Sequence, residues 1–181
     1  MTRLLGLSGA LRKASTNTGL LRAVATHLPA PVEFEIATLH GIPLYDGDVE
    51  VAQGKPEAVQ VLHEKIRSAD GIISATPEYN YSIPGVLKNA TDWLSRGGSP
   101  FVWKRVGVLG ASGGVLGTAR AQLALRQNLQ GLQAIVMPKP EIFAGTNGKR
   151  FDAQGNLLDE ETHRHLAQWV QAFLDWVEKK P

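Results

Sequence analysis

The sequence predicts an α/β domain in which five parallel strands form one sheet with helices on both faces. Three observations predict it. Short apolar runs alternate along the chain with longer segments of helical period, the pattern of strands joined by crossover helices. Gly-rich or Pro-rich turns separate the two kinds of segment. A length of 181 residues, 43% hydrophobic and 20% charged, matches one globular domain with enough interior to fold unaided. No internal repeat, low-complexity tract or linker divides the chain, so residues 1–181 are read as a single domain.

The first strand is read at Arg3 to Leu7, an almost wholly apolar run. Leu20, Leu21, Val24, Ala25 and Leu28 then recur at helical spacing from a start near Thr18. The second strand is Val32 to Ala37, and Val59, Leu62, Ile66 and Ala69 mark the helix that follows. Gly71 to Ala75 is the third strand, and Leu87, Ala90 and Leu94 carry the next helix. Arg105 to Gly110 and Ala134 to Met137 complete the sheet. Leu166, Trp169, Val170, Phe173 and Val177 close the chain with an amphipathic helix. Pro138 to Asp159, with Gly145, Gly148 and Gly155, shows no period and is read as an extended excursion.

Composition removes several function classes. The chain has no Cys, so disulfides, thiolate catalysis and Cys-ligated metals are out, and redox chemistry requires a bound organic cofactor. A formal charge of +2 and a pI near 9.0, without a run of like charge, suit anionic small molecules rather than nucleic acid. No apolar stretch is long enough to span a bilayer. Arg12 and Lys13 interrupt the N-terminal apolar run before it reaches the core of a signal peptide, which places the protein in the cytoplasm.

Open α/β sheets bind ligands at the carboxyl ends of their strands where strand order reverses, and in the flavodoxin-like order 2-1-3-4-5 that point lies between strands one and three. After strand one comes Ser8 to Asn17, entering a helix whose free N–H groups seat a phosphate. Arg12 adds charge, and Ser15, Thr16 and Asn17 add short donors. The plainer reading is that Ser15 or Asn17 caps the helix. Neither G-x-G-x-x-G nor G-x-x-x-x-G-K-[ST] is present, so a monophosphate fits better than a dinucleotide or a triphosphate. After strand three, Pro77, Glu78, Tyr79 and Asn80 open a loop closed by Pro84-Gly85, stiff enough to wall a planar ring. A rigid turn packed into the domain or a subunit interface is the alternative. After strand four, Ser112, Gly113 and Gly114 offer backbone donors to a flat ligand, or make an ordinary flexible turn.

These residues resemble the NADPH-dependent FMN reductases of the chromate and quinone reductase group. The family's phosphate motif Gly-Ser-x-Arg-x-x-Ser-x-Asn is matched by Gly9, Arg12, Ser15 and Asn17, with Ala10 in place of the Ser. Its loop is matched by Pro77 to Ser82, followed by Pro84-Gly85, Lys88-Asn89 and Asp92 to Arg96. Further likeness at Arg120, Leu125-Arg126-Gln127 and Lys139-Pro140-Glu141 carries the resemblance over nearly the whole chain. The resemblance implies bound FMN, NADPH or NADH as hydride donor, and quinones, azo compounds, chromate or free flavin as acceptors, by ping-pong transfer. The missing hydroxyl at Ala10 implies weaker FMN retention. The resemblance also implies a homodimer, for which Phe101-Val102-Trp103 is a suitably apolar connecting segment, and pairing of dimers into a homotetramer, against which Leu123 stands where some members carry Tyr. The cofactor supplies the redox step, so no side-chain acid or base is required and no catalytic residue is named.

Two rival readings exist. Gly110 to Gly114 matches G-x-S-x-G, and Asp152 and His163 follow in the order of a serine hydrolase that would use Ser112. A non-catalytic flavodoxin-type electron carrier is the other, though its usual acidic docking face is at odds with a charge of +2. His163 and His165 diverge on a helix, and His27, His40 and His63 are isolated, so no metal site is expected.

Overall fold

A computed structural model describes residues 1–179. The strands are β1 (Arg3–Ser8), β2 (Glu33–Ala37), β3 (Gly71–Ala75), β4 (Arg105–Ala111), β5 (Ile135–Val136) and β6 (Ile142–Ala144). The helices are α1 (Thr16–His27), α2 (Gly47–Gln53), α3 (Glu57–Ser68), α4 (Gly85–Leu94), α5 (Ala119–Gly131), α6 (Asn147–Arg150) and α7 (Glu160–Glu178). All sheet pairings are parallel in the order β2-β1-β3-β4-β5, with β6 also on β4. The expected architecture is therefore present, and its order reverses between β1 and β3.

Central strands are buried on both faces, which is why they read as continuous apolar runs. On one face Leu20, Leu21 and Val24 of α1 and Leu166, Trp169 and Phe173 of α7 cover Ile73 and Leu109. On the other, Val59, Leu62 and Ile66 of α3, Leu87 and Trp93 of α4, and Leu125 of α5 cover Leu5, Ile72 and Val106. Register levels the strand ends that matter: Ser8 faces Ala75, and Ala75 faces Leu109. Three loops therefore leave the sheet side by side.

The differences from expectation have local causes. α1 starts at Thr16 because the Ser15 hydroxyl accepts the Thr18 N–H at 3.2 Å, completing the first turn. β5 shrinks to two residues because Pro138 and Pro140 follow and cannot donate to a ladder. β6, inside the excursion, replaces it beside the far half of β4. α2 buries no residue, so it leaves no apolar period to read. Phe101 is a core residue at 1% exposure, so only Val102 and Trp103 of that connecting segment are open to solvent. No described helix is long and apolar enough to cross a membrane.

The excursion returns to α1. A β-carbon on Gly19 would lie 1.7 Å from the Gly155 carbonyl oxygen, so the 152–156 turn rests on the helix only because residue 19 has no side chain. Gly19→Ala must displace that turn and lowers the stability of the protein by about 2–3 kcal/mol, read as a drop of several degrees in thermal midpoint. Gly131→Ala, with open space around it, leaves the midpoint near the native value.

Candidate functional site

The three loops enclose a cleft of ≈ 170 Å³ at the carboxyl ends of β1, β3 and β4. Ala10, Arg12, Ser15, Thr16 and Asn17 line one side, Pro77, Glu78 and Tyr79 a second, and Ser112 and Gly113 a third. Three expected residues stand outside this lining. Gly9 lies beneath the first loop, its N–H bonded to the Ala75 carbonyl at 2.7 Å. Asn80 is at the tip of a turn, and the Gly114 carbonyl accepts N–H groups from Gly117 and Thr146. Ala14, Ala111 and Asn147 complete the lining without having been anticipated.

One side chain pins the first loop to the third. Asn17 is buried, its Oδ1 accepts the Ala111 N–H at 2.9 Å, and its Nδ2 donates to the Ala111 carbonyl at 2.9 Å. Its side-chain oxygen and one amide N–H are thus spent on β4, which leaves the backbone N–H as its main free donor. Close strand approach helps: a β-carbon on Gly110 would lie 2.2 Å from the Thr76 carbonyl oxygen.

The second loop is a tight turn. Tyr79 and Ser82 exchange backbone hydrogen bonds at 3.0 and 3.1 Å, and Asn80 and Tyr81 both hold positive φ (49° and 69°), the geometry of a type I′ turn. Glu78, its side chain 5% exposed, anchors it. The carboxylate accepts the N–H groups of Arg120 and Ala121 at 3.1 Å and pairs with the Arg120 guanidinium, capping α5 from a different loop. The guanidinium also stacks on Tyr81, 3.8 Å from the ring centroid.

The hydrolase reading does not survive this geometry. Ser112 Oγ donates to the Gly117 carbonyl, Asp152 accepts three N–H groups from Gln154 and Asn156, and His163 meets His27 at 3.1 Å and the Leu157 carbonyl. Hence the triad is not assembled, and His27 is not isolated as expected. Among the described residues no three His, Asp or Glu gather as a metal site.

Comparison with known proteins supplies what geometry alone does not. The family model for NADPH-dependent FMN reductase matches residues 2–148. The chain belongs to the NADPH-dependent FMN reductase family. Within it, an NAD(P)H-dependent FMN reductase of Pseudomonas aeruginosa is 46% identical over 178 residues, covering 98% of this chain and 96% of the relative. A quinone reductase of Escherichia coli is 44% identical, covering 96% and 94%. The solved flavoenzyme NAD(P)H:(acceptor) oxidoreductase FerB of Paracoccus denitrificans superposes with a TM-score of 0.87 at 33% identity, covering 98% of each chain. This is a family of oxidoreductases.

The FMN implied by the family can be tested against the cleft. Among the described residues the N–H groups of Thr16 and Asn17 have no acceptor, and the Arg12 side chain has no ion pair or hydrogen bond. Uncommitted donors and a free guanidinium converge on one hollow, which is what a dianionic phosphate needs. At ≈ 170 Å³ the cleft is below the roughly 300–1,000 Å³ that enclose a whole drug-sized ligand. It suits the phosphate end, with a flat ring against the Pro77 to Tyr79 rim. The residues fit the group.

Because Glu78 satisfies two backbone N–H groups as well as a charge, Glu78→Ala costs about 2–3 kcal/mol. Arg120→Ala, with a partly exposed guanidinium, costs less. Urea midpoints of the two variants check the order, and equal losses would contradict it. The histidine pair adds a pH dependence. Burial, then the charge of His163, lowers the His27 pKa below its ordinary value. The folded state thus binds fewer protons than the unfolded chain, and stability falls as pH drops below the unfolded value of about 6.5. His27→Gln flattens that acid-side loss in melts taken from pH 8 to pH 5.

Proposed function

We propose that the chain binds FMN in this cleft and uses NAD(P)H to reduce quinones and similar small acceptors. The observation that carries the reading is the convergence, between β1 and β3, of free α1 N–H groups, the uncommitted Arg12 and the rigid Pro77 to Ser82 turn. Thr16 and Asn17 N–H groups, the Ser15 hydroxyl and Arg12 hold the phosphate. Pro77, Glu78 and Tyr79 form the ring wall through their backbone, and the Gly113 N–H donates to the ring's edge. Ala10, 5% exposed, supplies backbone only. FMN, when bound, supplies two-electron hydride chemistry.

The protein's part is positioning and electrostatics. Glu78 is committed to α5 and moves no proton, and Ser112 is committed to Gly117. Protons for a reduced quinone come from water or from Tyr79, which is 54% exposed on the rim. Donor and acceptor use that rim in turn, a ping-pong order. The quinone assignment draws on relatives, among them a 2-hydroxy-1,4-benzoquinone reductase of Burkholderia, 38% identical over 171 residues. A homodimer is part of the proposal, because Tyr81 and Leu123 expose 73% and 71% of their surface near the cleft-side turn and along α5.

Purified protein loaded with FMN and mixed with NADPH without oxygen tests the function. The flavin absorbance bleaches, and 1,4-benzoquinone restores it. Protein that takes up no FMN would overturn the reading, and bound FMN inert to both NADPH and NADH would favour an electron carrier.

A further inference from the structure

Asn147 closes the cleft from a segment that none of the three strand-end loops contains. Its Nδ2 lies 3.3 Å from the Thr16 hydroxyl, and its Oδ1 is 3.7 Å from where a β-carbon on Gly113 would stand. The amide therefore spans from the first turn of α1 to the glycine loop. Its placement is built in. Asn147 N–H donates to the Ser112 carbonyl, Thr146 N–H to the Gly114 carbonyl, and Ser112 N–H to the Ala144 carbonyl. Thr146, a β-branched residue, holds φ 49° and ψ 45°, a left-handed conformation that such side chains adopt only when the surroundings impose it.

We infer that Asn147 is a positioning residue for FMN binding: its amide fixes the Thr16 hydroxyl as a donor to the phosphate and covers that end of the cleft. The inference rests on the reading of this cleft as the FMN site. A hydroxyl that accepts from Asn147 Nδ2 has its single O–H free, and that O–H turns toward the hollow shared with the unbonded Thr16 and Asn17 N–H groups. Alignment of one more donor on a charged phosphate strengthens binding about tenfold or more. The effect is confined to ligands that carry the phosphate.

The experiment titrates apoprotein with FMN and with riboflavin, following flavin fluorescence, alongside the thermal midpoint of the apoprotein. Asn147→Ala binds FMN about tenfold more weakly, changes riboflavin affinity less than about twofold, and keeps the native midpoint. Thr16→Val gives the same selective loss, and the double variant is no worse than either single one. Unchanged FMN affinity in Asn147→Ala, or equal losses for FMN and riboflavin, overturns the inference. If Asn147→Ala does not fold, native FMN affinity in Thr16→Val overturns it. Native protein that binds FMN while both variants keep native affinity sinks only this inference; native protein that binds no FMN removes the cofactor reading itself.

Discussion

The site depends on one buried amide. Asn17 holds the N–H and the carbonyl of Ala111 at 2.9 Å each, joining the first turn of α1 to the last residue of β4. The ordinary parallel pairing of β1, β3 and β4 levels the strand ends, but loops leaving a sheet can splay. With Asn17 in place they cannot. The orphan N–H groups of α1 then face the glycine loop across a narrow hollow, without an acceptor among the described residues.

The second wall is held just as firmly by different means. Glu78 caps α5 from outside the helix, and Arg120 both pairs with it and stacks on Tyr81. Three of the five described non-glycine residues with positive φ, Asn80, Tyr81 and Thr146, lie in segments that flank the cleft, and the other two, Trp103 and Gln133, precede β4 and β5 at the opposite end of the sheet. Strain of this kind costs stability and persists where neighbours over-determine the backbone. The rigidity matters because flavin enzymes ask the protein for position and electrostatics rather than for acid–base side chains. Glu78, committed to two backbone N–H groups and a guanidinium, is a girder of the site.

Much of this was legible in the sequence, for physical reasons. β3 at Gly71–Ala75 coincides with its expected limits because a strand buried on both faces is a continuous apolar run between turns. The three loops were legible because strand order places the crevice, and Gly, Pro and short polar residues accumulate there. α2 and β6 were not: one buries nothing and the other is three residues long, so neither leaves a period. Partner assignments were also hidden. Asn17 meets a residue 94 positions away and Glu78 one 42 positions away, and nothing local distinguishes a donor aimed at a ligand from one aimed at a distant strand. Asn147 lay in a stretch whose only signals were glycines.

The proposed function requires FMN to lie with its phosphate at the start of α1. A crystal structure of the protein grown with FMN tests it most directly. Phosphate density is expected within hydrogen-bonding distance of the Thr16 and Asn17 N–H groups and the Arg12 guanidinium, with the flavin ring beside Pro77 to Tyr79. FMN bound elsewhere, or a phosphate turned away from α1 with the Asn17–Ala111 bonds broken, would contradict it.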